Sequence, residues 1–178
     1  MSTKRIRVGV IGAGYLGRFH VEKYSRLDSA ELVGVVDTDR QRADAISAMF
    51  AVKPYGSYTD ILDKVDAVSI VTPTETHFEI AKAFLSRGVD VLLEKPMTTT
   101  VVEADVLIGL AQKSGAIFQI GHLERFNAAV VALNSRLTTP MFIDVHRLSP
   151  FPERNTDVDV VLDLMIHDID IILNLVKS

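Results

Sequence analysis

The chain has 178 residues, of which 48% are hydrophobic and 24% charged, a composition typical of a globular protein with one large domain or one domain and a fragment. A formal net charge of -4 gives no reason to expect nucleic acid or an anionic membrane as a partner. The absence of cysteine excludes disulfides, thiolate metal sites and a thiol nucleophile, and it fits a cytoplasmic location.

Five apolar runs are predicted as strands, at residues 5–11, 31–37, 67–72, 89–93 and 117–121. They are nearly continuous rather than alternating, which is typical of a parallel sheet covered by helices on both faces. Helical patterns lie between them, at residues 16–27, 39–50, 76–87 and 100–114. This alternation predicts an α/β fold, a doubly wound parallel sheet of the Rossmann type, over residues 1–122.

The pattern changes in the last third of the chain. Residues 124–136 predict a helix, 141–149 a strand, 150–156 an irregular stretch and 160–176 a second helix. One strand alone leaves its backbone groups unpaired, so we expect residues 123–178 to begin an α/β substrate and oligomerisation domain that continues in a longer protein.

A glycine loop follows the first predicted strand, in VGVIGAGYLG. Gly12, Gly14 and Gly17 have G-x-G-x-x-G spacing, which favours a tight turn, close approach of a pyrophosphate, and packing of the helix on the strand. The alternative is a plain tight turn. The predicted cofactor-binding residues of this loop are Gly12, Ala13, Gly14, Tyr15, Leu16 and Gly17.

Asp37 lies 20 residues beyond Gly17, at the end of the second predicted strand. A carboxylate there can accept hydrogen bonds from both ribose hydroxyls of an adenosine, and it repels a 2′-phosphate. NAD is therefore favoured over NADP, although Arg40 and Arg42 keep NADP open. The alternative role for Asp37 is a helix cap.

The later predicted strands end in polar residues, in VTPTETH, LLEKP and QIGHLERFN. Ligands of open α/β sheets bind beyond the carboxyl ends of the strands, so these residues are candidates for the site. GAGYLG, VTPTETH and EKP, in this order and spacing, resemble the Gfo/Idh/MocA family of NAD(P)-dependent oxidoreductases over essentially the whole chain.

That resemblance implies that Lys95 contacts substrate and nicotinamide and that the peptide bond before Pro96 is cis. A lysine at a strand end beside a rigid turn can hold a substrate hydroxyl, while the alternative is a surface lysine paired with Glu94. The resemblance also places cofactor contacts at Thr72, Pro73, Thr74, His77 and Glu94. The alternatives are a helix cap for Thr74 and a surface position for His77.

Further candidates follow the last strand of the first region. The resemblance implies cofactor or substrate contacts at His122, Arg125 and Asn127, and the alternative is a solvated helix start. His20 is predicted as an ordinary residue on a helix face.

The last helix carries a polar stripe on an otherwise apolar sequence, formed by Asp163, His167, Asp170 and Asn174 within a sector of about 60°. Because unpaired buried polar groups are costly, the stripe should face a partner, water or a ligand. Three interpretations stay open: a narrow solvent face, a metal site on Asp163, His167 and Asp170, and a catalytic site.

The resemblance favours catalysis, because it makes Asp163, His167 and Lys95 the catalytic set and Asp170 a substrate contact, with no metal. It implies hydride transfer between NAD and a secondary alcohol of a sugar or nucleotide-sugar, in a homo-oligomer. RFN, HRLSPF and TDVDVVLDLMIHDID are similar to members that oxidise the 3-hydroxyl of UDP-N-acetylglucosamine. The family often has a glycine-rich stretch before the aspartate, where this chain reads NTDVDVVLD. The alternatives are a non-catalytic NAD-binding module, a metal-dependent enzyme, and an inositol, polyol or tetrapyrrole substrate.

Overall fold

The computed structural model describes residues 5–137, 140–148 and 159–176. The chain divides into two compact units, Met1–Ile120 and Gly121–Ser178. Within the described residues, no helix has both the length and the apolar character that crossing a bilayer requires.

The first unit contains a six-stranded parallel sheet with the order β3-β2-β1-β4-β5-β6, which confirms the predicted doubly wound α/β class. Five strands lie within two residues of their predicted bounds. The two-residue β3 was not predicted, because so short a run has no periodicity. The strands are β1 Ile6–Ile11, β2 Ala30–Val36, β3 Pro54–Tyr55, β4 Ala67–Ile70, β5 Asp90–Leu93 and β6 Phe118–Ile120.

Four α-helices connect these strands: α1 Tyr15–Tyr24, α2 Arg40–Phe50, α3 Thr74–Leu85 and α4 Val101–Ser114. Asp39 caps α2 with its side chain, and Thr100 and Glu103 form a reciprocal capping box at α4. A short 3-10 turn at Tyr58–Ile61 lies between β3 and β4. Local sequence therefore sets where α2 and α4 begin.

The core of the first unit lies between the sheet and its helices. Val10, Ile70 and Leu93, from three neighbouring strands, are fully buried, as are Phe84 of α3 and Leu107 of α4. Truncating a buried residue of this size costs about 2–5 kcal/mol, so the packing holds the sheet rigidly. The register aligns the carboxyl ends of β1, β2, β4 and β5 along one edge of that sheet.

The second unit contains a 3-10 turn at Leu123–Phe126, α5 at Ala128–Asn134, a π-helical turn at Val161–Met165 and α6 at Ile166–Leu175. The helix predicted over residues 124–136 is confirmed at Ala128–Asn134 only, because the backbone leaves the helical conformation at Asn127, where ψ is 131°. The Asn127 side chain there accepts a hydrogen bond from Ala129 N and starts a new helix. The Asn127 cap thus interrupts a segment that its apolar pattern predicts as one continuous helix.

The strand predicted at residues 141–149 is also wrong over its described part, since residues 141–148 carry no strand. Met141, Phe142 and Leu148 are almost fully exposed. Apolar alternation predicts a strand only where a neighbouring strand pairs with it, and no strand is described in this unit. Residue 149 and the irregular stretch 150–156 lie outside the described residues.

Candidate cofactor and substrate sites

The strand order reverses direction at β1, which pairs with β2 on one side and β4 on the other. In open α/β sheets, ligands bind beyond the carboxyl ends of the strands at this switch point. The glycine loop leaves β1 here. The topology thus gives the motif the context that a dinucleotide site requires.

The three glycines of the loop have distinct surroundings. Gly12 has a φ of 101°, and a Cβ there would overlap the Val71 carbonyl. A Cβ on Gly17 would overlap the Gly12 carbonyl, since α1 packs tightly against the turn. A Cβ on Gly14 would meet no heavy atom within 4 Å. Gly12 and Gly17 therefore serve the turn itself, whereas the space beside Gly14 is open, as an approaching pyrophosphate requires.

Two helix N-termini face this edge without a side-chain cap. Gly14 precedes α1 and Pro73 precedes α3, and neither provides a capping side chain, in contrast to the caps of α2 and α4. The N–H groups of a first helical turn have no partner within the helix, and the helix dipole makes that end positive. Ala13 is buried in the loop, whereas Tyr15 and Leu16 are exposed on α1. These helix starts can hold an anion.

Asp37 follows β2 and is tied to the glycine loop. Its Oδ2 accepts a hydrogen bond from Ala13 N at 2.8 Å, and its Oδ1 accepts one from Asp39 N at 2.8 Å. The cap of α2 is Asp39, so Asp37 is not a helix cap. A carboxylate oxygen can accept further hydrogen bonds, and the carboxylate remains able to bind ribose hydroxyls.

The two arginines that kept NADP open are paired within α2. Arg40 Nε lies 2.9 Å from Asp44 Oδ1, and Arg42 Nε lies 3.2 Å from Asp39 Oδ2. A 2′-phosphate would have to compete with these carboxylates and with Asp37. The local charges therefore favour NAD over NADP.

The loop after β4 and the first turn of α3 contain four of the predicted cofactor contacts, Thr72, Pro73, Thr74 and His77. The Thr76 hydroxyl lies 2.8 Å from that of Thr72. Thr74 is a buried residue of the first turn, and the position of the N-cap belongs to exposed Pro73, so the cap alternative for Thr74 is wrong.

His77 is only 1% exposed, so the surface alternative for this residue is wrong. Its Nδ1 lies 2.9 Å from Pro96 O and its Nε2 lies 2.9 Å from Thr72 O. Both ring nitrogens face backbone carbonyls of the protein. The predicted contact of His77 with the cofactor stays a prediction.

The loop after β5 contains Lys95, and the Lys95–Pro96 peptide bond is cis, as the resemblance implies. Lys95 is half-buried. Glu94 is buried, with its Oε2 3.3 Å from Lys95 N and its Oε1 3.4 Å from His20 Nε2 of α1. The latter distance allows an ion pair, but Oε1 accepts no hydrogen bond from the described residues. The Glu94 carboxylate is turned towards α1. His20 was predicted as an ordinary residue on a helix face, because the sequence alone does not reveal this contact with a residue far along the chain.

The second unit has its own polar cluster. Arg125 Nε lies 2.7 Å from Asp170 Oδ2, and Arg125 Nη2 lies 2.5 Å from Asp170 Oδ1. These charged hydrogen bonds lower the pKa of the Asp170 carboxyl below its usual range, against the opposing effect of burial. His122 Nδ1 lies 3.9 Å from Asp170 Oδ1. Both Asp170 oxygens accept hydrogen bonds from Arg125 and so hold its guanidinium in place, and the predicted substrate contact of Asp170 stays a prediction.

The candidate catalytic residues of this unit lie at a change of helix type. Asp163 belongs to the π-helical turn, and His167 belongs to the first turn of α6. Both are half-buried. Short π-helical turns occur frequently at functional sites. Asp168, which lies off the stripe, forms two-pronged hydrogen bonds with Arg147.

The polar stripe is therefore not a uniform solvent face, since Asp170 is buried with a partner. Within the part of the chain that the structure describes, no three histidine or carboxylate side chains are grouped to hold a metal ion. The Asn127 side chain is used as a cap of α5, so its oxygen already has a protein partner.

The sheet order, the glycine loop at the switch point and the acid after β2 define a dinucleotide-binding Rossmann unit. Residues 6–122 match the family described as an oxidoreductase family with an NAD-binding Rossmann fold, Gfo/Idh/MocA. The chain belongs to this family, which confirms the resemblance found in GAGYLG, VTPTETH and EKP.

Two relatives indicate the chemistry of the family. UDP-N-acetylglucosamine 3-dehydrogenase of Acidithiobacillus ferrooxidans is 44% identical over 169 residues, covering 94% of this chain and 53% of that protein. A solved structure of it has a TM-score of 0.89, covering 96% of this chain and 54% of its own. Inositol 2-dehydrogenase 4 of Saccharopolyspora erythraea is 32% identical over 188 residues, covering 96% of this chain and 54% of that protein.

A solved protein from gentamicin A biosynthesis, in complex with NAD, is 26% identical with a TM-score of 0.73, covering 76% of this chain and 40% of its own. The chain thus spans about half the length of the curated relatives that it matches.

Proposed function

We propose that this chain holds the NAD-binding part, and the start of the substrate-binding part, of a dehydrogenase that acts on a secondary alcohol of a sugar or nucleotide-sugar. The observation that carries the proposal is the glycine loop at the switch point, with open space beside Gly14 and the Asp37 carboxylate at its flank. The loop and the start of α1 would hold the pyrophosphate, and Asp37 would bind the adenosine ribose.

NAD would supply the redox chemistry by accepting a hydride at its nicotinamide ring. The protein would position the alcohol and handle its proton. We propose that Lys95 donates a hydrogen bond to the reacting oxygen, that His167 removes the hydroxyl proton, and that Asp163 orients His167. Thr72, Pro73 and Thr74 would line the nicotinamide side of the cofactor.

The relatives support the proposed substrate class. The protein from Acidithiobacillus ferrooxidans supports a UDP-N-acetylglucosamine substrate oxidised at its 3-hydroxyl, and the inositol dehydrogenases support a cyclic polyol as the second candidate. Arg125 is about half exposed while Asp170 fixes it, so it can hold an anionic or hydroxylated group of the substrate. Assembly into a homo-oligomer is a further expectation from the resemblance, and a cytoplasmic location is one from the absence of cysteine.

Calorimetry with NAD, NADP, NADH and ADP tests the cofactor, and NADH formation from UDP-N-acetylglucosamine and from myo-inositol tests the reaction. We expect NAD to bind more tightly than NADP, with NADH formed from the nucleotide-sugar. Tight NAD binding without turnover on any sugar would support a non-catalytic NAD-binding module instead. A folded chain with no affinity for either dinucleotide would contradict the proposal.

A further inference from the structure

His77 is a buried titratable group that the proposed chemistry does not use. It lies in the first turn of α3 and is 1% exposed, among the most buried side chains of the first unit. A polar ring in such a place is costly unless its nitrogens are hydrogen-bonded. Both nitrogens have a backbone carbonyl at 2.9 Å, Pro96 O for Nδ1 and Thr72 O for Nε2.

These two carbonyls belong to different loops. Thr72 follows β4, and Pro96 follows β5 directly after Lys95. The two strands are parallel neighbours, with Ile70 paired to Leu93, so both loops leave the sheet at the same edge. His77 therefore bridges the two strand-end loops on the β4 side of the switch point. Its contact with Pro96 joins residues that are 19 positions apart in the sequence.

The adenosine half and the nicotinamide half of a bound dinucleotide lie on opposite sides of the switch point. Asp37, at the end of β2, marks the adenosine side. The loops that His77 joins lie on the other side. A tether at this position would affect the nicotinamide half and leave the adenosine half unaffected.

We propose that His77 is a positioning residue that ties the loop after β4 to the turn after Lys95, and so pre-orders the nicotinamide side of the cofactor site. The inference rests on the proposed NAD-binding function. A carbonyl oxygen only accepts hydrogen bonds, so each tether requires an N–H on the ring. A neutral imidazole has one N–H and makes one of the two bonds, whereas a protonated ring has two and makes both. Without the ring, the two loops would become ordered only when NAD binds, and the free-energy cost of this ordering would weaken NAD binding.

Three variants distinguish the effect of the N–H donors of His77 from the effect of the size of its ring. His77→Asn places an amide near the Nδ1 position and can keep the bond to Pro96 O. His77→Gln places an amide near the Nε2 position and can keep the bond to Thr72 O. His77→Leu keeps bulk and makes neither bond. His146→Asn, on an exposed histidine of the second unit, is the matched control.

The measurement is the ratio of NAD affinity to ADP affinity by calorimetry, with the thermal midpoint as a check of folding. We expect His77→Leu to lower NAD affinity about tenfold while ADP affinity stays within about twofold, as the loss of one or two hydrogen bonds implies. At least one amide variant should restore NAD affinity to within about threefold of the wild type.

An unchanged ratio in His77→Leu would overturn the inference, as would an equal loss in all three variants, because the shape of the ring rather than its donors would then matter. If His77→Leu does not fold, His77→Phe, which also keeps bulk and makes neither bond, takes its place with the same expected and contradicting ratios. A wild-type chain that binds no NAD would remove the proposed function and this inference together. NAD binding with an unchanged ratio would remove the inference alone.

Discussion

Ala13 N donates a hydrogen bond to Asp37 Oδ2 at 2.8 Å, so the acid at the end of β2 is fixed against the glycine loop of β1. The same carboxylate accepts from Asp39 N at the start of α2. One side chain thus joins the two elements that would grip the pyrophosphate and the ribose of a dinucleotide. This relationship makes cofactor choice the first property to test.

Replacing Asp37 with Asn should change cofactor preference. The amide keeps the size of the carboxylate, but it loses the charge that binds ribose hydroxyls and repels a 2′-phosphate. We expect NAD affinity to fall about tenfold to a hundredfold, since hydrogen bonds to a charged group contribute about 1.5–3 kcal/mol, and NADP affinity to fall less.

Calorimetry with both dinucleotides measures this preference. Asp63→Asn is the matched control, since that carboxylate is 94% exposed and lies away from the glycine loop. An unchanged NAD-to-NADP affinity ratio in Asp37→Asn would show that this acid does not select the cofactor.

Gly14→Ala should mainly weaken NAD binding, whereas Gly17→Ala should mainly lower the stability of the fold. The Cβ at position 14 meets open space, so we expect Gly14→Ala to change stability by no more than about 0.5–1 kcal/mol while NAD affinity drops at least about tenfold. The Cβ at position 17 overlaps the Gly12 carbonyl, so Gly17→Ala should lower the thermal midpoint by several degrees.

Scanning calorimetry and NAD titration together distinguish the two variants. Gly109→Ala in α4 is the control, because a Cβ there also meets open space and the position is remote from the loop. Full NAD affinity in Gly14→Ala would contradict the placement of the pyrophosphate.

Asp170→Asn should destabilise the second unit in a pH-dependent way. Arg125 lowers the pKa of the Asp170 carboxyl in the folded state, so its contribution to stability is present above the usual carboxyl range and is lost as the pH falls through that lowered pKa. Because Arg125 is partly exposed, we expect a loss of only about 1–3 kcal/mol at pH 7.

Urea unfolding followed by circular dichroism at pH 7 and near pH 3 checks this sign. The difference between wild type and Asp170→Asn should shrink at the lower pH. Asp144→Asn, on a largely exposed carboxylate of the same unit, should show little difference at either pH. A gap that widens with acidification would contradict the assigned role of Arg125.

Lys95→Met and His167→Ala should reduce turnover much more than NAD binding. Loss of the proton-transfer group His167 should lower kcat by about a hundredfold to ten-thousandfold. Loss of Lys95, a hydrogen-bond donor to the reacting oxygen, should lower it by about a hundredfold to a thousandfold. Neither residue is proposed to hold the pyrophosphate or the adenosine. The variants are compared in a catalytically active form of the protein, with steady-state kinetics and NAD titration on the same samples. Near wild-type kcat in either variant would remove that residue from the proposed chemistry.

The sequence by itself determined the α/β class, five of the strands and the glycine loop, because buried parallel strands are continuous apolar runs and because the loop needs glycine at fixed spacing. The family also followed from GAGYLG, VTPTETH and EKP. Caps are local as well, and the Asn127 cap was missed because an apolar pattern continued across it.

Only the tertiary structure decided which polar side chains are already committed to protein partners. The contacts of His77 with Pro96, of Glu94 with His20, and of Asp170 with Arg125 join residues that are far apart along the chain. Periodicity reports which face of an element is apolar, and it says nothing of which distant carbonyl or charge meets a buried polar group. The strand predicted at 141–149 failed in its described part for the same reason, since a strand exists only with a partner to share its hydrogen bonds.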